Sequence, residues 1–192
     1  NVGARAAIVA KAPGIVSGID IAGLTFREVD ASLKFKPVAR DGQEVPAGAA
    51  LATVTGSAAS IMTAERTALN FLMRLSGVAT LTRKYVQAIA GTNATILDTR
   101  KTTPGMRILE KYAVLCGGGQ NHRLALWDMY LVKDNHIRAA RGLTNAIDRI
   151  QRTRRDLLLE VEVESLDQLR EALRPEVDRI LDKVHREGVA SL

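Results

Sequence analysis

A chain of 192 residues, 46% hydrophobic and 25% charged, has room for one mid-sized domain or two small ones and the composition of an ordinary globular protein. It holds no run of 18 apolar residues, so no membrane span is expected, and its single cysteine, Cys116, excludes an intrachain disulfide and points to the cytoplasm. The net charge of +6 suits a nucleic acid or a small polyanion, but the one dense basic cluster, Arg149, Arg152, Arg154 and Arg155, has no interleaved aromatics; it reads as a solvated helix end, and no nucleic-acid partner is expected.

Residues 1 to about 60 read as short strands and turns. Ala6–Lys11 and Gly14–Ile19 are small apolar runs parted by Pro13-Gly14, a turn signal. Ile21–Val29 fits a short helix, and Leu33–Val38 alternates as a half-exposed strand does. Asp41-Gly42 signals a turn, and Leu51–Val54 follows as a strand after Pro46-Ala47-Gly48. The stretch DGQEVPAGAALATVTG resembles the hairpins of biotinyl and lipoyl carrier domains. Those present a lysine in Met-Lys-Met or Asp-Lys-Ala, which does not occur here, and Lys11 follows Ala10; the hairpin alone says little about function.

From Ser57 the period changes. Ile61, Ala64, Ala68, Leu69, Leu72, Met73 and Leu75 recur at helical spacing up to Gly77, with Ser60 or Thr63 as N-cap. A second helix is predicted over Thr80–Ala90, ended by Gly91. A strand at Ala94–Asp98 and a helix at Met106–Leu115 follow, the helix ended by the triplet Gly117–Gly119. Strands are predicted at Tyr130–Lys133, Leu157–Val163 and Arg179–Leu181, and helices at Leu143–Arg152 and Leu166–Leu173. This alternation makes the second part an α/β fold of parallel strands with right-handed crossovers.

Ligands in such folds sit at the carboxyl ends of the strands. Those ends carry Arg100 and Lys101, then His122 and Arg123 beyond the glycine triplet, then Lys133, then Glu160, Glu162 and Glu164, and finally Asp182. Five cationic groups in one mouth repel one another by roughly several kcal/mol. The expected occupant is therefore a small molecule with several negative charges, a dicarboxylate or a phosphate ester, which suits the arginine fork. Glu162 and Asp182 suit ribose hydroxyls or a magnesium ion. Plainer readings stand beside these. Arg100 and Lys101 fit a solvated pair, His122 a structural histidine, and His136 a loop residue bonded by Asp134 and Asn135. Cys116 has no neighbouring base and reads as helix packing, and the spacing of His122 and His136 fits no zinc pattern. Glu160, Glu162 and Glu164 share a face at period two, so the strand is expected to twist or end within that run.

The runs ERTALNFLMRLSGVAT (65–80), DTRKTTPGMRILEKYAVLCGGGQNHR (98–123), YLVKDNHI (130–137) and EVEVES (160–165) resemble the quinolinate phosphoribosyltransferases, also called nicotinate-nucleotide pyrophosphorylases (carboxylating). The resemblance covers most of residues 5–182. It implies an N-terminal α/β sandwich domain with a helical connection, here 1–92, and a partial parallel α/β barrel, here 93–192. It implies a reaction of quinolinate with phosphoribosyl pyrophosphate and Mg2+, giving nicotinate mononucleotide, pyrophosphate and CO2 in NAD synthesis. It also implies a homodimer or an assembly of dimers. Carried over residue by residue, Arg100, His122, Arg123 and Lys133 resemble the groups that bind the two carboxylates of quinolinate. Arg66 resembles an arginine that reaches into a neighbouring subunit's site. Lys101 and Lys133 lie where the donor is contacted, and Glu162 and Asp182 resemble the carboxylates near the ribose and its magnesium. Lys133, Glu162 and Asp182 are the implied catalytic groups.

The sequence also departs from the family's pattern. The family's Asp- and Thr-rich opening segment is not found. Ile180-Leu181-Asp182-Lys183 stands one residue short of the usual spacing from Glu162, and VHREGVASL carries no family motif. The glycine-containing loops that hold the donor's phosphates are missing. The expectation is a chain incomplete at both ends, which self-associates, binds quinolinate weakly and turns it over poorly. The alternatives are a truncated or non-catalytic relative that binds a dicarboxylate, and a related phosphoribosyltransferase-like protein linked to molybdate transport.

Overall fold

The structure, a computed structural model, describes residues 2–153 and 156–174. Arg154, Arg155, the strand expected at Arg179–Leu181, and Asp182 lie outside the described residues. The chain divides into a unit over Asn1–Leu124 and a unit over Ala125–Leu192.

The first unit is built on an antiparallel sheet of β1 (Gly3–Val9), β3 (Lys34–Pro37) and β5 (Ala50–Ser57), with β5 in the middle. Val54 of β5 faces Ala6 on one side and Phe35 on the other. A separate pair, β2 (Gly14–Ile15) and β4 (Glu44–Val45), is antiparallel. Two helices, α1 (Ile19–Val29) and α2 (Ala58–Ala88), cover the sheet. Their inner faces join it in a core of Ala22, Phe26, Leu33, Val54, Ile61, Ala64 and Ala68. A second cluster of Val16, Ile19, Ala39, Val45, Leu51 and Leu72 continues it.

Helix α1 begins earlier than the expected Ile21 because its cap comes from a distant turn. The Asp41 carboxylate accepts the Ile19 N–H at 3.0 Å, satisfying a first-turn donor that no adjacent side chain reaches. Gly18 before it sits at φ 96°, and a Cβ there would lie 2.7 Å from Leu75 Cδ1; only glycine meets both demands at low cost.

The two helices expected on either side of Gly77 are one helix, α2. Its buried residues Ile61, Ala64, Ala68, Leu72, Leu75, Ala79 and Thr82 recur every three or four positions without a break across Gly77. A glycine in a helix costs about 1 kcal/mol against alanine, less than burying this stripe returns. The N-cap is Ser57, not Ser60 or Thr63: its hydroxyl accepts the Ser60 N–H at 3.4 Å. Helix α2 also docks β2 through hydroxyls, Thr80 Oγ1 accepting the Ile15 N–H and Ser76 Oγ the Ser17 N–H.

Helix α3 (Arg107–Cys116) packs on α2 with Ala113 against Leu75 and Ala79, and Ile15 of β2 shares the cluster. Half-buried Cys116 packs against that cluster, as its packing reading requires. Gly117 ends the helix, and a Cβ there would lie 2.5 Å from the Ala79 carbonyl oxygen.

The strand expected at Ala94–Asp98 is reduced to one parallel bridge, Leu97 to Gln120. Gln120 N–H bonds Ile96 O at 2.9 Å and Asp98 N–H bonds Gln120 O at 3.1 Å. The next rung would send His122 N–H to the Asp98 carbonyl. It goes instead to the Asp98 side chain, Oδ1, at 2.9 Å. The carboxylate intercepts the ladder, and both segments leave it as loops.

The second unit pairs β6 (Tyr130–Val132) and β7 (Leu159–Val161) in parallel, joined through α4 (Asp134–Ala140) and α5 (Leu143–Thr153), with α6 following at 166–174. Val132, Ala140 and Ala146 form its core. The segment around His136, read as a loop, is helix α4. Lys133 N–H donates to His136 Nδ1 at 2.9 Å, so His136 caps the helix and is structural, though through Lys133 rather than Asp134 or Asn135. Strand β7 ends at Val161, inside the run of alternating glutamates.

Candidate active site

In the first unit, the loop 98–104 and the loop 120–124 lie side by side, tied by the Leu97–Gln120 bridge and the His122–Asp98 bond. They carry Arg100 and Lys101 on one side, His122 and Arg123 on the other. Their foundation is a buried ion pair. Lys111 of α3 bonds Asp98, and the two side chains are 3% and 7% exposed. With its amide turned to donate, Asn121 bonds Asp98 Oδ2 at 2.7 Å and the Lys111 carbonyl at 2.9 Å. Arg107 adds a brace between the loops, from Nε to Thr102 Oγ1 and from Nη1 to Leu124 O, both at 3.3 Å.

The far end of the 98–104 loop is clamped by Glu110. One of its oxygens accepts Arg74 Nη2 at 2.7 Å and Thr103 Oγ1 at 2.8 Å, the other accepts Thr103 N–H at 3.1 Å. Burial pushes the Glu110 carboxyl up, but the hydrogen bonds from Arg74 and Thr103 outweigh it and hold the group below its ordinary value of 4.5. A carboxylate with a lowered folded pKa stabilises the fold above its unfolded pKa, and that stabilisation disappears as pH falls through the folded value. Because Arg74 is 56% exposed, Glu110→Gln is expected to cost only about 1–2 kcal/mol at pH 7. The gap to wild type should close as the pH drops below 4.5. Urea unfolding of both proteins across that range checks it; a gap independent of pH contradicts the clamp.

Arg100 Nε is buried and meets no hydrogen-bond partner. Such a donor costs about 1–3 kcal/mol until an acceptor arrives. Lys133 and Glu162 belong to the second unit, where Lys133 Nζ pairs with Glu162 Oε2 at 2.8 Å across the ends of β6 and β7. Both are about half exposed, so the pair adds little stability and leaves its charges accessible. Glu160 and Glu164 are exposed. Arg66 lies on an exposed position of α2. The structure thus brings together Arg100, Lys101, His122 and Arg123 on adjacent loops, and Lys133 with Glu162.

Sequence reading passed over the groups that hold these loops: Arg74, Asp98 as a hub, Arg107, Glu110 and Lys111. One signal was available. Met106, Glu110 and Ala113 fall at helical spacing on the stripe of α3 that faces α2; a charge on an inward stripe announces a buried partner.

Two family models match the chain: the quinolinate phosphoribosyl transferase N-terminal domain over residues 1–76 and its C-terminal domain over residues 78–192. The second match runs past Lys183, where no motif is legible by eye. A "probable nicotinate-nucleotide pyrophosphorylase [carboxylating]" of Synechocystis sp. is 47% identical over 174 residues, 90% of this chain and 59% of its own length. The chloroplastic nicotinate-nucleotide pyrophosphorylase [carboxylating] of Arabidopsis thaliana is 45% identical over 173 residues, 88% of this chain and 49% of its own. Among solved structures, the nicotinate-nucleotide pyrophosphorylase of Francisella tularensis superposes with a TM-score of 0.88 at 41% identity, covering 91% of this chain and 62% of that one. The chain therefore spans from about half to just over three fifths of the length of these relatives.

Proposed function

The chain belongs to the quinolinate phosphoribosyltransferase family, and from that membership we propose that it serves the transfer of a phosphoribosyl group from phosphoribosyl pyrophosphate to quinolinate, with loss of CO2, to give nicotinate mononucleotide for NAD synthesis. The observation that carries this reading is the buried, unpartnered Arg100 Nε on a loop set against the one bearing His122 and Arg123. An aromatic dicarboxylate offers an oxygen to that Nε and negative charge to the cations beside it.

In this reading Arg100, His122, Arg123 and Lys133 take the two carboxylates, with Arg66 supplied by a second copy in a homodimer or an assembly of dimers. Lys101 and Lys133 contact the donor. Glu162 and Asp182 are the carboxylates that the family resemblance assigns to the ribose. Charge builds as a cation on the ribose and as an anion on pyrophosphate, so fixed opposite charges lower the barrier. A magnesium ion carried on donor phosphates needs only one or two protein carboxylates. Among the described residues no cluster of three or more ligating groups is built for a metal, but the half-exposed Glu162 can supply such an oxygen. Magnesium there would neutralise charge on the leaving pyrophosphate. The lone, unbridged Cys116 favours the cytoplasm as the compartment; no helix among the described residues is long and apolar enough to cross a membrane.

Calorimetry with quinolinate, paired with an assay for nicotinate mononucleotide in the presence of phosphoribosyl pyrophosphate and Mg2+, tests the reading. Weak but saturable binding with slow product formation is the expected result. Binding without product would leave the chain a dicarboxylate binder, and a folded sample that ignores quinolinate would overturn both.

A further inference from the structure

Resting on the site reading above, we infer that Asp98 is the positioning residue that sets the span between the cations of the two loops, and through that span the preference for a dicarboxylate over a monocarboxylate. The side chain of Asp98 stands at the root of both loops. It begins the loop that carries Arg100, and it bonds the backbone N–H of His122 in the other at 2.9 Å. It holds that place because it cannot turn away: Lys111 binds it from α3, and both side chains are more than nine-tenths buried. Asn121, beside His122, bonds the second oxygen. Both carboxylate oxygens are engaged and the side chain is enclosed, away from any ligand on the loops. Asp98 therefore acts on a ligand only through where it puts its neighbours.

The geometry separates the two ends of a dianion. Arg100 follows Asp98 by two residues on one loop, and His122 with Arg123 follow the intercepted rung on the other. A ladder that continued for one more rung would keep the two chains at strand spacing. By ending it, the carboxylate fixes where they part, and hence how far apart the first cations on each loop stand. A monocarboxylate engages one loop at a time and is indifferent to that distance. A dicarboxylate engages both, and its affinity falls when the span drifts; misplacements of about 1 Å are felt strongly in such sites.

The test is made on the full chain, with folding checked by circular dichroism. Affinities for quinolinate and for nicotinate, its monocarboxylate counterpart, are measured for wild type, Asp98→Asn, Asn121→Ala and Arg100→Ala. Asp98→Asn should lower quinolinate affinity by about tenfold or more while nicotinate changes by less than about twofold. In 15N-labelled protein the His122 amide proton should move upfield as its charge-assisted bond weakens. Asn121 is exposed, so Asn121→Ala should fold regardless and shift the affinity ratio the same way by a smaller factor. If Arg100→Ala leaves quinolinate affinity unchanged, the site reading itself falls, and the inference with it. If Arg100→Ala weakens binding but folded Asp98→Asn and Asn121→Ala keep the wild-type ratio, the positioning role alone is overturned. Should Asp98→Asn fail to fold, the ratio in Asn121→Ala decides.

Discussion

Lys111→Met is expected to destabilise the chain by about 3–5 kcal/mol, because it leaves the Asp98 carboxylate buried without its counter-charge. The side chain of Asp98 is 7% exposed and that of Lys111 3%, so water cannot substitute. The companion variant Lys111→Met with Asp98→Leu should recover part of that loss, since an apolar pair of similar size avoids the stranded charge. Recovery should be incomplete, because His122 N–H and the Asn121 amide lose their acceptor. Urea unfolding followed by circular dichroism measures both. A single variant within about 1 kcal/mol of wild type would show that Asp98 is not an ionised, enclosed group.

Phe26→Ala should be comparably severe, about 3–5 kcal/mol. Phe26 is 2% exposed and stacks on Phe35 with ring centroids 5.8 Å apart. Ala22, Leu33, Val54, Ile61, Ala64 and Ala68 share its cluster. The alanines among them hold helices close to the sheet and cannot swing in to fill a void, so the cavity term is felt in full. The denaturation midpoint should fall without a change in slope. A loss below about 1.5 kcal/mol would mean the cluster repacks, contrary to the close fit described.

Much of this architecture is legible in the chain. The periods of α1, α3 and α5 and the alternation of β3 report burial directly, and the elements stand close to where those patterns place them. Most of the failures share a cause, a contact made by a residue distant in sequence; helix α4 fails for a local one. Asp41 starts α1 from across a turn, and no local pattern announces it. Gly77 reads as a break because local propensity cannot see Ala79, buried against Ile15 and Ala113. The bridge at Leu97 falls short of a strand because a side chain, not backbone, takes the next N–H. Helix α4 is too short for periodicity and depends on His136 reaching back to Lys133.

The same asymmetry holds for the site. Arg100, Lys101, His122 and Arg123 could be singled out because cations at strand ends are conspicuous. Glu110 shows only as a charge on the inward stripe of α3, and Lys111 not at all, because a charge inside a helical stretch passes for a solvated one until the opposing face is known. Arg74 was invisible for the same reason, lying 36 residues from the glutamate it holds.

Descent and cooperativity divide this chain at different places. The two family models abut at residues 76 and 78, near the middle of α2, whereas the compact unit runs on to Leu124. A cut at the inherited seam would sever one continuous helix. It would also take Thr80 from Ile15, which it bonds across 65 positions. The loops bearing Arg100 and His122 are therefore anchored in the same cooperative body as the N-terminal sheet. Exchange of the His122 amide proton, held by the enclosed Asp98 side chain, is expected to report the opening of that whole body, so a lesion in the sheet should reach the loops as a change in how often the body opens.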